Sequence, residues 1–154
     1  MNKFIIIDKS DYINAINLHL GLYHPLRGFA TLKEFESIIS KKKINNINFT
    51  IPINLFCSKI KANNFGLGDT INLKYKNEII GSLVLESKFK IDKKRILLSL
   101  FGTTNKTHLG VNNYSKKIKK NFISLGGRVH VNYNKVKKFF ISNNFDTMKK
   151  LEKI

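Results

Sequence analysis

The spacing of apolar residues changes near Ile44, and no other feature restricts the architecture of this chain as much. Upstream, Phe35, Ile38 and Ile39 lie at the i, i+3, i+4 spacing of one helix face. They follow Thr31-Leu32-Lys33-Glu34, which reads as a capping box: the Thr31 side chain can bond the third amide while Glu34 reaches back to the Thr31 amide. This helix should end near Lys41-Lys42-Lys43, well placed against the C-terminal dipole. Downstream, Ile47, Phe49, Ile51, Ile53 and Leu55 alternate with Asn48, Thr50, Pro52 and Asn54, the period of a half-buried strand in which Pro52 marks an edge or a bulge. The chain therefore has to combine helix and strand.

The flanking segments extend this reading. Lys3 to Ile7 is a short strand or extended segment, and Ser10 can cap a helix over Asp11 to His19 with Ile13, Ile16 and Leu20 on one face and Gly21 at its end. Leu22 to Phe29 is an apolar, structured loop in which Pro25 blocks helix and Gly28 permits a turn. A turn cluster at Asn63 to Asp69 leads into the alternating Thr70 to Tyr75, and a tight Lys76-Asn77-Glu78 turn joins it to Ile79 through Glu86 as a hairpin. Asp92 can cap a helix over Lys93 to Phe101 closed by Gly102, with a strand over Ile96 to Phe101 as the competing reading. Thr103 to Ser115 reads as a polar loop holding His108 and Gly110. Asn121 to Val131 reads as a strand in which Gly126-Gly127 marks a bulge or a close backbone approach. From Asn134 to Ile154 the residues Val136, Phe139, Phe140, Phe145, Met148 and Leu151 have broadly helical spacing, implying one or two helices packed on the rest.

With 154 residues the chain fits one domain, and neither an internal repeat nor a dividing linker interrupts it. No apolar stretch approaches a membrane span, and Phe4-Ile5-Ile6-Ile7 stops at Asp8, too soon for a signal-peptide core, so a cytoplasmic location with no membrane association is expected. The lone Cys57 cannot form an intramolecular disulfide and reads as a small buried hydrophobe.

The net charge of +18 arises from 28 Lys plus Arg against 10 Asp plus Glu. Only Arg27, Arg95 and Arg128 are arginines; the surplus is lysine, which, with the abundant Asn, Ile and Phe, is encoded by A/T-rich codons. The surplus concentrates after Ser115, in Lys116, Lys117, Lys119 and Lys120, then Arg128, then Lys135, Lys137 and Lys138. Lysine is a hydrated point charge suited to phosphate, whereas arginine usually reads base edges. These eight residues are therefore the candidate anion or nucleic-acid surface, with salt-dependent and weakly sequence-specific binding expected.

Catalytic motifs are scarce. The histidines at 19, 24, 108 and 130 make no metal-ligand spacing with one another or with Asp or Glu, so neither a metal nor another cofactor is expected. Gly66-Leu67-Gly68 precedes a strand where a dinucleotide fingerprint needs a helix, and so reads as a turn.

The ordered series Tyr23-His24-Pro25-Leu26-Arg27-Gly28-Phe29, Phe35-Glu36-Ser37-Ile38, Ile51-Pro52-Ile53-Asn54-Leu55, Gly68-Asp69, Asp92-Lys93, Phe101-Gly102-Thr103-Thr104, His108-Leu109-Gly110-Val111 and Leu125-Gly126-Gly127 resembles the N-terminal PUA-like domain of ATP sulfurylase (sulfate adenylyltransferase) in order and approximate spacing. The resemblance covers roughly residues 13–131. It implies an α+β fold, a small bent β-barrel (pseudobarrel) with flanking helices: barrel and N-terminal helices over 1–133 and a helical extension over 134–154, within a single PUA-like domain. It also marks Pro25, Leu26, Gly28, Phe29, Pro52, Gly102, Thr103, His108, Gly110, Gly126 and Gly127 as family-motif loop residues. Leu109 stands where the family usually has proline, so His108 is expected to be a hydrogen-bonded turn residue with no role of its own in a loop.

In that family a nucleotidyltransferase domain follows, with Gln-x-Arg-Asn and His-x-x-His motifs that bind sulfate and ATP. Here Val136 to Phe145 resembles the lead-in helix and Asp146 to Leu151 the next strand, and neither motif is present. The resemblance thus implies a domain non-catalytic on its own, an accessory or docking module whose partner belongs to sulfate activation or is a separately encoded catalytic domain. An RNA-binding module using the lysine-rich surface is the alternative. A homodimer through an uncovered apolar face of the C-terminal helix is a further expectation.

Overall fold

A computed structural model describes residues 2–142. The first strand, β1 (Phe4–Ile6), gives way to helix α1 (Lys9–His19) at Asp8, whose side chain accepts a hydrogen bond from the Asp11 amide at 2.8 Å. Asp8, not Ser10, is the cap, because Ser10 already lies inside the first turn. Ala15, Ile16 and Leu18 are the buried residues of α1; Ile13 is half-buried and Leu20 exposed.

After β2 (Gly28–Phe29), the capping box forms as its chemistry requires: the Thr31 amide donates to Glu34 Oε2 at 2.8 Å and Thr31 Oγ1 accepts from the Glu34 amide. Helix α2 (Leu32–Lys41) buries Phe35, Ile38 and Ile39 and ends at Lys42, which takes the left-handed conformation at φ 56°.

The long strand expected over Ile47 to Leu55 does not form. Asn45 and Asn46 both adopt positive φ, 47° and 66°, and fold β4 (Ile47–Asn48) back on β3 (Lys43–Ile44) in a small hairpin. The burial phase then reverses: Pro52 and Asn54 are buried whereas Ile47 and Ile51 are 41% and 55% exposed. Pairing resumes only at β5 (Leu55–Ser58), where Cys57 is buried and its thiol is pushed up to about 11 by that burial, as expected of a structural cysteine.

A short helix, α3 (Lys59–Ala62), precedes the main hairpin of β6 (Thr70–Tyr75) and β7 (Glu78–Phe89), whose turn residues Lys76 and Asn77 carry φ of 46° and 63°. Helix α4 (Lys93–Phe101) is capped by Asp92 and closed by Gly102 at φ 67°, which decides for the helix over the competing strand. The segment expected as a polar loop contains helix α5 (Leu109–Lys117). Its cap is His108, whose Nδ1 accepts from the Val111 amide at 3.3 Å, a role that sequence patterns built on Ser, Thr, Asp and Asn do not reveal.

Strand β8 (Phe122–Val131) then runs through the middle of the sheet, and α6 (Tyr133–Ser142) packs on the outside. In α6, Val136 is buried and Phe139 and Phe140 pack on the core, with Phe139 edge-on to Tyr12, so this part of the apolar face is covered by the chain's own core. Phe145, Met148 and Leu151, and the strand expected at Asp146 to Leu151, lie outside the described residues.

The sheet has the order β1-β6-β7-β8-β2, with β5 also paired to β8. β1 and β6 are parallel and the other pairs antiparallel. The class is α+β, but no closed barrel is present among the described residues. β5 gives β8 only four residues before Ser58 caps α3, and β1 gives β6 only three before Asp8 starts α1. The core lies between the sheet and its helices, with Ile16, Leu26, Phe29, Ile38, Leu55, Leu73, Leu83, Ile96 and Leu125 essentially inaccessible.

Candidate functional site

The strongest concentration of sequence-marked residues lies where β2 crosses β8. Gly28 pairs with Arg128 and Phe29 with Gly127, and the backbones come so close that a Cβ at Gly28 would sit 1.8 Å from the Gly127 carbonyl oxygen. Gly127, at φ 153°, is equally confined, since a Cβ there would lie 2.0 Å from the Val84 carbonyl oxygen. The glycine pair is a close approach, as expected, and the bulge is on the partner strand: Leu85 pairs with Gly127 and Ser87 with Gly126, leaving Glu86 as the extra residue. The bulge turns Glu86 toward Arg128, whose Nε lies 3.3 Å from Glu86 Oε1.

This crossing forms the floor of a cleft of about 550 Å³ walled by the His24-Pro25 loop, Arg27, Glu34, Asn45, Ile47, Glu86 and Arg128. The His24-Pro25 peptide is cis, and Leu26 beyond it is buried, so the loop is anchored from beneath. Arg27 is exposed, and the Arg128 side chain is 70% exposed despite its glutamate. Two of the three arginines of the chain thus meet in one cleft beside two carboxylates, one of which, Glu34, is engaged in the α2 cap. His24, Arg27, Glu86 and Asn45 did not stand out as site residues in the sequence. The usable signal was the glycine pair facing Gly28, which requires a crossing; the bulge that aims Glu86 leaves no local trace.

The remaining motif residues lie elsewhere. Gly102 closes α4, Thr103 Oγ1 accepts from the Asn105 amide at 3.1 Å, and a Cβ on Gly110 would meet the Phe101 ring at 2.6 Å. With His108 they form the tight α4–α5 junction. Pro52 is buried in the irregular stretch before β5.

The eight candidate basic residues do not share one face. Lys116, Lys117 and Lys119 line a groove between β1 and β5, whereas Lys120 joins Lys119 at a second concavity beside Asp92. Lys135 is 2.5 Å from Glu78 and ties α6 to the main hairpin; Lys138 lines the same recess, and Lys137 is exposed. Arg128 belongs to the cleft. Among the described residues, no group of three or more His, Cys, Asp or Glu could hold a metal ion, and no helix is long and apolar enough to cross a membrane.

Residues 2–134 match the family described as PUA-like domain. Relatives named sulfate adenylyltransferase include those of Halothermothrix orenii, 27% identical over 81% of this chain and 33% of the relative, and Staphylothermus marinus, 29% identical over 81% and 32%. The one from Aeropyrum pernix is 33% identical over 77% of this chain and 31% of the relative. The chain spans about a third of the length of the curated relatives it matches. Among solved structures, the hexameric APS kinase from Thiobacillus denitrificans superposes with a TM-score of 0.58 at 14% identity, over 93% of this chain and 27% of that one, a likeness of fold.

Proposed function

Since the chain belongs to the PUA-like domain family, in the form that resembles part of sulfate adenylyltransferases, we propose that it is an accessory or docking module for a sulfate-activating, nucleotide-using partner, not itself a centre of adenylyl transfer. The observation that carries this reading is what the motif residues do. His108 Nδ1 is occupied by its helix cap, Gly102 and Gly110 shape a helix junction, and Gly28, Gly126 and Gly127 pass one strand over another. Adenylyl transfer needs charged groups fixed around a developing phosphate charge. These residues instead position a scaffold and leave Arg27 and Arg128 presented outward from it.

Arginine suits such docking, because its rigid fork pairs bidentately with carboxylates and stays charged at every physiological pH. The cleft's occupant is then an acidic loop of the catalytic partner. Titration calorimetry of this chain against the separately produced catalytic region of a sulfate adenylyltransferase tests the reading. Saturable binding that weakens at least about tenfold in the Arg27→Glu/Arg128→Glu variant is expected. Absence of heat, or identical binding by the variant, would refute it.

A further inference from the structure

The groove between β1 and β5 is a different kind of surface. We propose that it binds an extended acidic peptide segment, which adds to the free edge of β1 in the gap where the sheet fails to close. The inference concerns a second face and stands whether or not the cleft serves a sulfate-activating partner.

Three observations carry it. The first is the backbone of β1. Asn72 donates to the Lys3 carbonyl and Ile7 donates to the Lys74 carbonyl, both at 2.9 Å, so residues 3, 5 and 7 face β6. In a parallel ladder the alternate residues turn their groups the other way, which leaves the N–H and C=O of Phe4 and Ile6 on a side where no strand pairs with β1 among the described residues. That side is the wall of a groove of about 710 Å³, and β5 forms the opposite wall. An unpaired edge of this kind is a template for an added strand.

The second is charge. Lys61, Lys116, Lys117 and Lys119 ring the groove, and Asp8 and Asp11 are its carboxylates. The Lys117 ammonium is held by Ser10 Oγ at 2.9 Å, while Lys116 and Lys119 are exposed. The surplus of positive charge selects an acidic occupant. The third is apolar exposure at the same edge, since Ile6 is 74% exposed on a strand whose middle residue, Ile5, is in the core. A segment alternating acidic and aliphatic residues would satisfy the edge, the lysines and Ile6 together.

The aromatic rings argue for a peptide over single-stranded nucleic acid. Bases stack on free aromatic faces. Here the Lys61 and Lys74 ammonium groups lie over the Phe4 ring, 4.2 and 4.1 Å from its centre, and Lys119 lies over Phe122 at 5.6 Å. These rings already serve cations, so their faces are not free to stack bases.

The test is fluorescence polarisation with a labelled peptide alternating glutamate and valine, beside its lysine–valine counterpart and an oligothymidine. Binding of the acidic peptide alone, weakened by added salt, is expected. The Lys116→Glu/Lys119→Glu variant should bind at least about tenfold more weakly, while Lys33→Glu/Lys137→Glu, a charge-matched change elsewhere, should bind as the parent does. Ile6→Pro removes an outward amide together with the exposed isoleucine side chain and should also weaken binding. The proposal is overturned if the acidic peptide does not bind at low ionic strength, or if both double variants bind alike. It is overturned equally if Ile6→Pro is without effect, or if oligothymidine binds as tightly as the peptide.

Discussion

The arginine cleft and the lysine groove are both open, charged concavities on one sheet, yet they are held in opposite ways. The cleft rests on backbone packed to the limit: Gly28 against Gly127, a bulge at Glu86, and a loop anchored by Leu26. The groove exists because packing stops: β1 pairs over three residues and β5 over four, and among the described residues no strand covers their outer edges. The difference teaches that a surface can be specified either by what the core forces together or by what the sheet leaves unpaired. Substitutions should be felt in stability at the first and in binding at the second.

The largest contrast is between Gly28→Ala and Ile6→Ala. The first places a methyl group inside a carbonyl oxygen and should cost about 3 kcal/mol or more. The second trims an exposed side chain and should stay within about 0.5 kcal/mol in the same urea titration. Equal effects would erase the distinction between the two regions.

Next in size is the capping comparison. Thr31→Ala removes an oxygen that serves the α2 cap beside the cleft and should destabilise by about 1 kcal/mol. Ser10→Ala, at the groove end of α1, should be nearly neutral because Asp8 is the cap. A larger loss for Ser10→Ala would move the cap to the position the sequence suggested.

A third contrast concerns pH. Burial, and secondarily Asp8, raises the Asp11 carboxyl from 3.8 to about 7, against the pull of Lys117. The folded state therefore holds this proton more tightly than the unfolded chain does. The resulting stabilisation is complete below about pH 3.8 and is lost as pH rises through about 7. Asp11→Asn should raise the melting temperature above pH 7 and change it little near pH 4. The same offset at both values would assign its effect to packing.

The smallest expected effect is that of Lys116→Glu/Lys119→Glu on melting temperature, since both side chains are exposed and away from the described ion pairs. A shift of only a degree or two in calorimetry is expected, about what surface changes within 0.5 kcal/mol produce.

Much of this architecture was legible in local chemistry. The Thr31-Glu34 box, the Asp92 and Gly102 ends of α4 and the turn at Lys76-Asn77 are decided within a few residues, and so they can be read from them. The strand expected over residues 47–55 failed because alternation records which side chains are apolar, not which way the backbone turns. Two left-handed asparagines reversed the chain just before it. Helix α5 was missed because a histidine caps it. Of the cleft, the glycines were visible but Glu86 was not, since a bulge is a property of two strands in register. The basic tract after Ser115 is contiguous in sequence and divided in space, because β8 and the two helices beside it carry its parts to different faces.

If the motif residues build a docking scaffold and no adenylyl-transfer centre, the chain by itself releases no pyrophosphate. The purified chain is incubated with ATP, magnesium and sulfate, and pyrophosphate release is followed with a coupled enzyme. Release indistinguishable from buffer is expected, with addition of a catalytic region restoring turnover to that region's own rate or above. Sustained release by the chain alone, abolished in the His108→Ala variant, would contradict the account.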